Sequence, residues 1–384
     1  MAPKYNTLTC DRLQKRGLLQ AHLNHTDATA CIRSHMILHL SRNYMDTDWL
    51  IDGGFLPEFV IRLGIRRQLR DRIECLKSAS TAEQYARKMD YIDQSRNNQI
   101  AIHTHKANTQ HYEVDAGVLA ACLGPRMKYS CCLYPTGAES LGEAESAMLD
   151  SYIHKADLRN GQKILDLGCG WGSAALYFAH KFPNAHVVAL SNSKSQKEFI
   201  EQKALNAGLT NLKVLTADVA IYELERNYFD RIISIELFEH MKNYESLLQK
   251  LSGALTVGGK LFVHLFCHKN TPYDFEDGWM SQNFFTGGTM PSADLLLYFQ
   301  KDLTLRHQWW ISGTHYARTC EDWLSKLCRN RVDVWPHLVS TYGSENALVW
   351  YRRWQVFYMA CAELFAFDGG ETWGVSHYLF EKTK

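Results

Sequence analysis

The chain has 384 residues, 46% hydrophobic and 22% charged, enough to bury one large core or two smaller ones, and its composition is neither disordered nor fibrous. Its formal net charge is +1 with no long basic run, so the electrostatic footprint of an obligate nucleic-acid binder is missing. Eleven cysteines include the adjacent pair Cys131-Cys132 and no metal-ligand spacing, which argues against a disulfide framework or a metal centre and for reduced thiols in a cytoplasmic protein.

Residues 1–20 are polar and lack the apolar core of a secretory signal, and no stretch approaches about 18 consecutive apolar residues, so no membrane span is expected. Residues 1–120 read as a helical amino-terminal region contributing to a substrate pocket. Leu, Ile, Arg and Asp recur there at helical spacing, interrupted by Gly53-Gly54 and Pro57. Residues 121–270 change character. Strands at 163–167, 186–190, 212–215, 231–235 and 260–266 alternate with helices at 173–181, 195–207 and 244–254. The alternation predicts right-handed crossovers and a parallel, doubly wound sheet. Residues 271–384 complete the chain. The irregular stretch 267–291 reads as a lid, followed by a strand at 303–312, helices between 319 and 367, and a strand at 375–380. The 10 Trp, 19 Tyr and 17 Phe crowd the second half, as a pocket wall or as a helical core.

The run Ile164-Leu165-Asp166-Leu167-Gly168-Cys169-Gly170-Trp171-Gly172 puts a bare backbone turn at the carboxyl end of a strand, where doubly wound sheets bind ligands. A dinucleotide fingerprint needs glycine at 173, but Ser173 stands there, and no acidic residue ends the next strand. Gly168, Gly170 and Gly172 let the chain curve around a small zwitterion, and Asp166 either fixes the loop or meets the cationic half of the ligand. Asp218, followed by Val219, can accept from an adenine amino group or serve as a helix N-cap. Asn192 and Gln196 can bind ribose hydroxyls or serve turn chemistry. These features point to S-adenosylmethionine as cofactor, S-adenosylhomocysteine as product, and an α/β fold of the class I methyltransferase kind: a Rossmann-like doubly wound sheet with its last strand antiparallel, a helical amino-terminal region, and a helical insertion and lid.

The strand ending at Ile235 delivers Glu236, Glu239 and His240 to the same sheet edge. Three ionisable groups after a buried strand are costly unless satisfied or used, and helical spacing would set them on one face. An aliphatic amine with a pKa of about 10.4 is protonated at neutral pH, and freeing its lone pair costs three to four pK units, about 4 to 5 kcal/mol. A carboxylate and a histidine can attract the ammonium and take its proton.

Tyr129-Ser130-Cys131-Cys132, the glycine loop, Phe238-Glu239-His240 with Lys242-Asn243-Tyr244, and Phe284-Phe285-Thr286-Gly287-Gly288-Thr289-Met290-Pro291 together resemble the plant coclaurine N-methyltransferase family, itself similar to cyclopropane fatty acid synthases. The resemblance covers roughly residues 95–384. It implies N-methylation of small alkaloid amines, with Glu239 and His240 as the catalytic pair and Glu236 as a supporting carboxylate. It implies that Tyr112 and Glu113 close over cofactor and amine, and it sets Ser130, beside Tyr129, at the cofactor carboxylate. Ile235 completes the cofactor set, and His264, Phe284 and Phe285 the substrate set. Cys361 matches a cysteine of the synthases, although its place between Ala360 and Ala362 suits a buried structural thiol. The chain departs from the family pattern after Glu113, where Val114-Asp115-Ala116 replaces a proline and paired phenylalanines, and in an altered lid at 270–279. The expected partner is a phenylalkylamine or a benzylisoquinoline, with no nucleic acid. A lipid-modifying synthase and a non-catalytic adenosyl-binding scaffold are the rival readings. A homodimer is compatible with the sequence.

Overall fold

Alternate residues of each central strand point into different cores, one on each side of a sheet. Ile164, Val187, Ala189, Ile233 and Phe262 pack into one hydrophobic cluster, while their neighbours Leu165, Val188, Leu190, Ile232 and Leu261 pack into another. The computed structural model describes residues 48–101, 114–276 and 278–384. Among these, seven strands form one sheet in the order β3-β2-β1-β4-β5-β9-β8. They are β1 (Lys163–Leu167), β2 (His186–Ser191), β3 (Leu212–Thr216), β4 (Phe229–Ile235), β5 (Leu255–His268), β8 (Thr304–Ile311) and β9 (Trp373–Glu381), with a short hairpin of β6 (Tyr273–Asp274) and β7 (Thr289–Met290) apart from them. The first five run parallel, and β9 lies antiparallel between β5 and β8. This is the class I methyltransferase topology expected from the sequence.

Helices α1 (Asp48–Asp52), α2 (Glu58–Leu76) and α3 (Thr81–Arg96) break where Gly53-Gly54 and Pro57 stand, and Ser80 caps α3 by accepting from Glu83 N at 3.1 Å. A short α4 (Ala116–Ala120) precedes α5 (Leu141–Ala156), which opens on a reciprocal capping box between Ser140 and Glu143. α5, α6 (Ser173–Lys181) and α7 (Lys194–Asn206) cover one sheet face, and α8 (Tyr244–Ala254) covers the other, its Leu247, Leu248 and Leu251 buried there. After the lid helix α9 (Trp279–Asn283), the insertion between β8 and β9 consists of α10 (Gly313–Arg329), α11 (Arg331–Tyr342) and α12 (Ala347–Ala366). Much of the aromatic surplus is in this helical core: Trp323, Trp354 and Tyr358 are fully buried between α10 and α12.

Candidate active site

The end of β1 is a surface of backbone. Gly168 and Gly170 take φ of 77° and 51°, and the amides of Gly168 and Cys169 both donate to Leu190 O, pinning the turn against β2. A Cβ at Gly168 would come within 3.1 Å of the Leu237 side chain. Gly172, at φ 81°, plays a different part: a Cβ there would meet Ile200 at 2.6 Å, so it admits α7 and stands behind the loop. Asp166 is buried and accepts from Ala175 N at 3.0 Å, which ties the loop to the first turn of α6; burial pushes its carboxyl up to about 7.

Gly168, Gly170, Asn192, Gln196, Asp218 and Val219 line one cleft with Glu236. Ser191, beside Asn192, lines it too, as do Leu190, Ala217, Leu237 and Met241, which were missed by sequence reasoning, since apolar residues at strand ends carry no signal of their own. Gln196 accepts from Ser191 Oγ at 2.6 Å, while its buried Nε2 has no hydrogen-bond partner among the described residues. Asp218 uses one oxygen to accept from Ala220 N at 2.8 Å, closing a turn where a helix N-cap was the alternative, and no helix follows it directly; its other oxygen is in reserve. An orphaned buried donor, a cradle without Cβ atoms and a carboxylate at the next strand end fit an adenosyl group. Tyr129 packs its ring 5.5 Å from that of Trp323 and keeps a buried hydroxyl without a partner among the described residues, and Ser130 Oγ accepts from the buried Lys128 ammonium, which also donates to Cys131 O. Ile235, the last residue of β4, pairs in register with His264.

The end of β4 is built from side chains. The expected helix through Glu236, Glu239 and His240 does not form. Only a 3-10 turn, Phe238–His240, follows the strand, and Glu236 precedes it at φ 50°, a left-handed conformation that prevents helix continuation and costs a non-glycine residue about 1–3 kcal/mol. The strain is held by four contacts. Glu236 N donates to His264 O at 2.8 Å, Glu236 Oε1 accepts from Cys131 N at 3.1 Å and lies 3.1 Å from His264 Nε2, and Oε2 accepts from Tyr316 Oη at 2.7 Å. Burial raises the Glu236 carboxyl while the nearby Lys128 ammonium opposes that rise. Glu239 is fully buried and accepts from Phe266 N at 2.7 Å through Oε1, but its Oε2 has no partner among the described residues. Burial, reinforced by the Glu236 charge, lifts its carboxyl well above the usual range. Burial also lowers His240 to about 4, so the imidazole is neutral at physiological pH.

The paired lid phenylalanines part company. Phe285 stacks on His240 with ring centroids 4.7 Å apart, whereas Phe284, expected at the substrate, is 1% exposed and stacks on Phe357 of α12 at 4.4 Å. Its ring fills the helical core, because adjacent residues of a chain entering a layered core face opposite ways. The lid is tied to the acidic turn by Lys242, which donates to Asp274 at 2.6 Å and Thr289 at 2.7 Å. His264 lies wholly inside the sheet, touching Glu236, Tyr152 and His377. Cys361 sits on α12, half-buried, and packs against the hydrophobic core. Tyr112 and Glu113 lie outside the described residues.

This fold and glycine cradle define a class I methyltransferase using S-adenosylmethionine. Residues 99–372 match the family described as mycolic acid cyclopropane synthetase. The chain is 39% identical to (S)-coclaurine N-methyltransferase of Thalictrum flavum subsp. glaucum over 86% of its length and 94% of that protein, and 38% identical to the enzyme of the same name from Papaver somniferum over 86% and 95%. It also superposes on the crystal structure of coclaurine N-methyltransferase bound to N-methylheliamine and SAH with a TM-score of 0.85 at 37% identity, covering 88% of this chain and 99% of that one. The chain belongs to the coclaurine N-methyltransferase group of the cyclopropane synthetase family, and it is an S-adenosylmethionine-dependent N-methyltransferase.

Proposed function

We propose that the chain methylates the nitrogen of a small alkaloid-type amine, a benzylisoquinoline or a smaller phenylalkylamine, with Glu239 receiving the amine proton, His240 assisting and Glu236 as supporting carboxylate. The names and bound amine of the relatives favour that substrate class. The observation that carries the mechanism is the unpartnered Glu239 Oε2 at the buried end of β4. An ammonium and a carboxylate brought together in such a site form a charged pair that burial disfavours, whereas the neutral amine and carboxylic acid are tolerated. Burial therefore moves both groups toward proton transfer, offsetting the cost of about 4 to 5 kcal/mol of freeing the lone pair. His240, kept neutral, can accept a hydrogen bond from the ammonium, and its stacking on Phe285 fixes the ring plane. S-adenosylmethionine, when bound, supplies a methyl group activated by its sulfonium charge. Gly168, Gly170, Gln196 and Asp218 would hold the adenosyl portion, with Tyr129 and Ser130 at the carboxylate of the methionine portion. Tyr112 and Glu113 are assigned to the amine side.

No helix among the described residues is long and apolar enough to cross a membrane, and the nine described cysteines are free thiols, which supports the reading as a cytoplasmic protein. Glu239→Ala should lower turnover of a protonated amine by about 10²–10⁴-fold and leave cofactor affinity unchanged. Full activity in that variant removes Glu239 from the reaction. Labelled cofactor offered with an amine panel or with phospholipid vesicles separates the amine reading from lipid modification.

A further inference from the structure

Two buried histidines have no task in the reaction described above. His264 of β5 and His377 of β9 face each other across an antiparallel pair, and both are fully buried. His264 Nε2 lies 3.1 Å from Glu236 Oε1, and its Nδ1 lies 2.9 Å from His377 Nε2. His377 Nδ1 lies in turn 2.7 Å from the Nζ of Lys155, in the last turn of α5, a residue with part of its surface in solvent. Each ring uses both nitrogens, and the series runs from the cleft carboxylate through the sheet to a surface amine. A neutral imidazole has one donor and one acceptor nitrogen, and here the partners of all four nitrogens lie in one line from the cleft to Lys155. The series ends on a basic nitrogen that, among the described residues, has no carboxylate to hold it.

We propose that Glu236, His264, His377 and Lys155 form an exit path that carries the proton taken from the substrate amine to solvent, a proposal that rests on the amine-deprotonation reading above. At the start, the ammonium N–H bond breaks with its electron pair left on nitrogen and an O–H bond forms on Glu239; that O–H bond then breaks as the proton passes through solvent in the cleft, which Glu236 lines, to Glu236. With that proton on Glu236 Oε1, three transfers follow. The carboxyl proton passes to His264 Nε2 as the Nδ1 proton of the same ring passes to His377 Nε2. The Nδ1 proton of His377 passes to the neutral Lys155 amine. Glu236 ends as carboxylate, both imidazoles end neutral in their other tautomer, and the Lys155 ammonium loses its proton to water.

The surroundings suit this traffic. Burial holds both histidines well below the usual range, so neither traps the proton as a stable imidazolium. Burial also lowers Lys155 to about 8, so that near that pH the amine is partly neutral and can take up and release a proton, and its Nζ lies 5.2 Å from the Trp309 ring. The other ionisable groups facing the path are Tyr152 of α5, whose hydroxyl lies 2.9 Å from His264 Nδ1, the Lys128 ammonium, Tyr316 of α10, and Glu239 and His240. Lys128 repels positive charge from both rings, which favours concerted passage over a charged intermediate.

The test uses the full chain with a secondary amine and follows single turnovers with a pH-indicator dye alongside product formation. Lys155→Met keeps the apolar stem and removes the terminal base. Its proton release and turnover should fall about tenfold near pH 8, where Lys155 is partly neutral and the substrate amine still arrives protonated, and the deficit should close as the pH approaches the amine's own pKa of about 10, where substrate arrives as free base. In His377→Ala, added imidazole should restore the rate and 1-methylimidazole, which cannot pass a proton from one nitrogen to the other, should not. A Lys155→Met profile superimposable on the parent, a deficit constant across pH, or equal rescue by both imidazoles overturns the path. If His377→Ala does not fold, the Lys155→Met profile decides. Glu239→Ala in the same assay separates the two ideas. An unimpaired Glu239→Ala removes the deprotonation reading, whereas an impaired Glu239→Ala beside an unimpaired Lys155→Met removes the path alone.

Discussion

Two strand ends meet at the cleft, and they are built from different materials. At the end of β1 the surface is main chain, set by the positive-φ glycines Gly168 and Gly170, with the amides of Gly168 and Cys169 pinned to β2. At the end of β4 it is side chain, and the carboxylate of Glu236 is held by residues from β5, α10 and the segment before α5. A main-chain surface presents the same groups whatever its neighbours, which suits a cofactor of fixed shape. A side-chain surface can be retuned by one substitution, which suits an amine whose identity varies.

The comparison can be broken or sharpened by substitution. The largest expected effect concerns the lid on the side-chain half. Phe284→Ala should lower unfolding free energy by about 3–5 kcal/mol in denaturant titrations, as for a buried core ring, and Phe285→Ala by no more than about half of that. Phe285→Ala should instead depress amine turnover through its loss of the His240 stack. Equal destabilisation by the two would erase the division between core and site.

On the main-chain half, Asp166 should reveal itself through pH. Its carboxyl is raised to about 7 in the folded chain, against about 3.9 when unfolded. The folded state thus holds an extra proton between those values, so the stability this group contributes is full below about pH 4 and lost as the pH rises through about 7. Asp166→Asn keeps an acceptor for Ala175 N without the ionisation. Without cofactor, its stability relative to the parent should climb across that window by up to about 4 kcal/mol. A difference that does not change with pH would show that the loop buries no charge.

A smaller effect is expected at Gln196, whose orphaned Nε2 awaits a ligand oxygen. Gln196→Ala should weaken cofactor binding about 5–10-fold in calorimetry, the worth of one hydrogen bond of about 1–1.5 kcal/mol, with no change in KM for the amine. Altered amine KM with unaltered cofactor affinity would reassign that wall of the cleft.

The two halves also differ in how far they can be read from sequence. The glycine loop and the strand–helix alternation are local patterns, and the structure places β1, α6 and α8 where the sequence puts them. β5 is longer than expected, Leu255–His268 against 260–266, because Gly258-Gly259 looks like a turn yet continues the strand. Glu236, Glu239 and His240 were visible as an unusual cluster of charge, but helical spacing misjudged how they meet, since nothing local reveals the left-handed backbone at Glu236. The partners of Glu236 were invisible for a deeper reason. Cys131, Tyr316 and, through His264, His377 come from segments remote in the chain, and only sheet register and helix packing bring them together. Phe284 and Phe285 are the local counterpart, identical neighbours whose orientations depend on the direction in which the lid enters the core.

The antiparallel strand β9 has a consequence for biosynthesis. It lies between β5 and β8, and among the described residues it is the sole sheet neighbour of β8. Every other strand of this sheet has left the ribosome before β9 is made, so β8 waits without a partner and β5 keeps one edge open until Trp373–Glu381 emerges. A nascent chain stalled upstream of Trp373 would expose two strand edges and lack His377, making it both prone to aggregation and unable to complete its sheet.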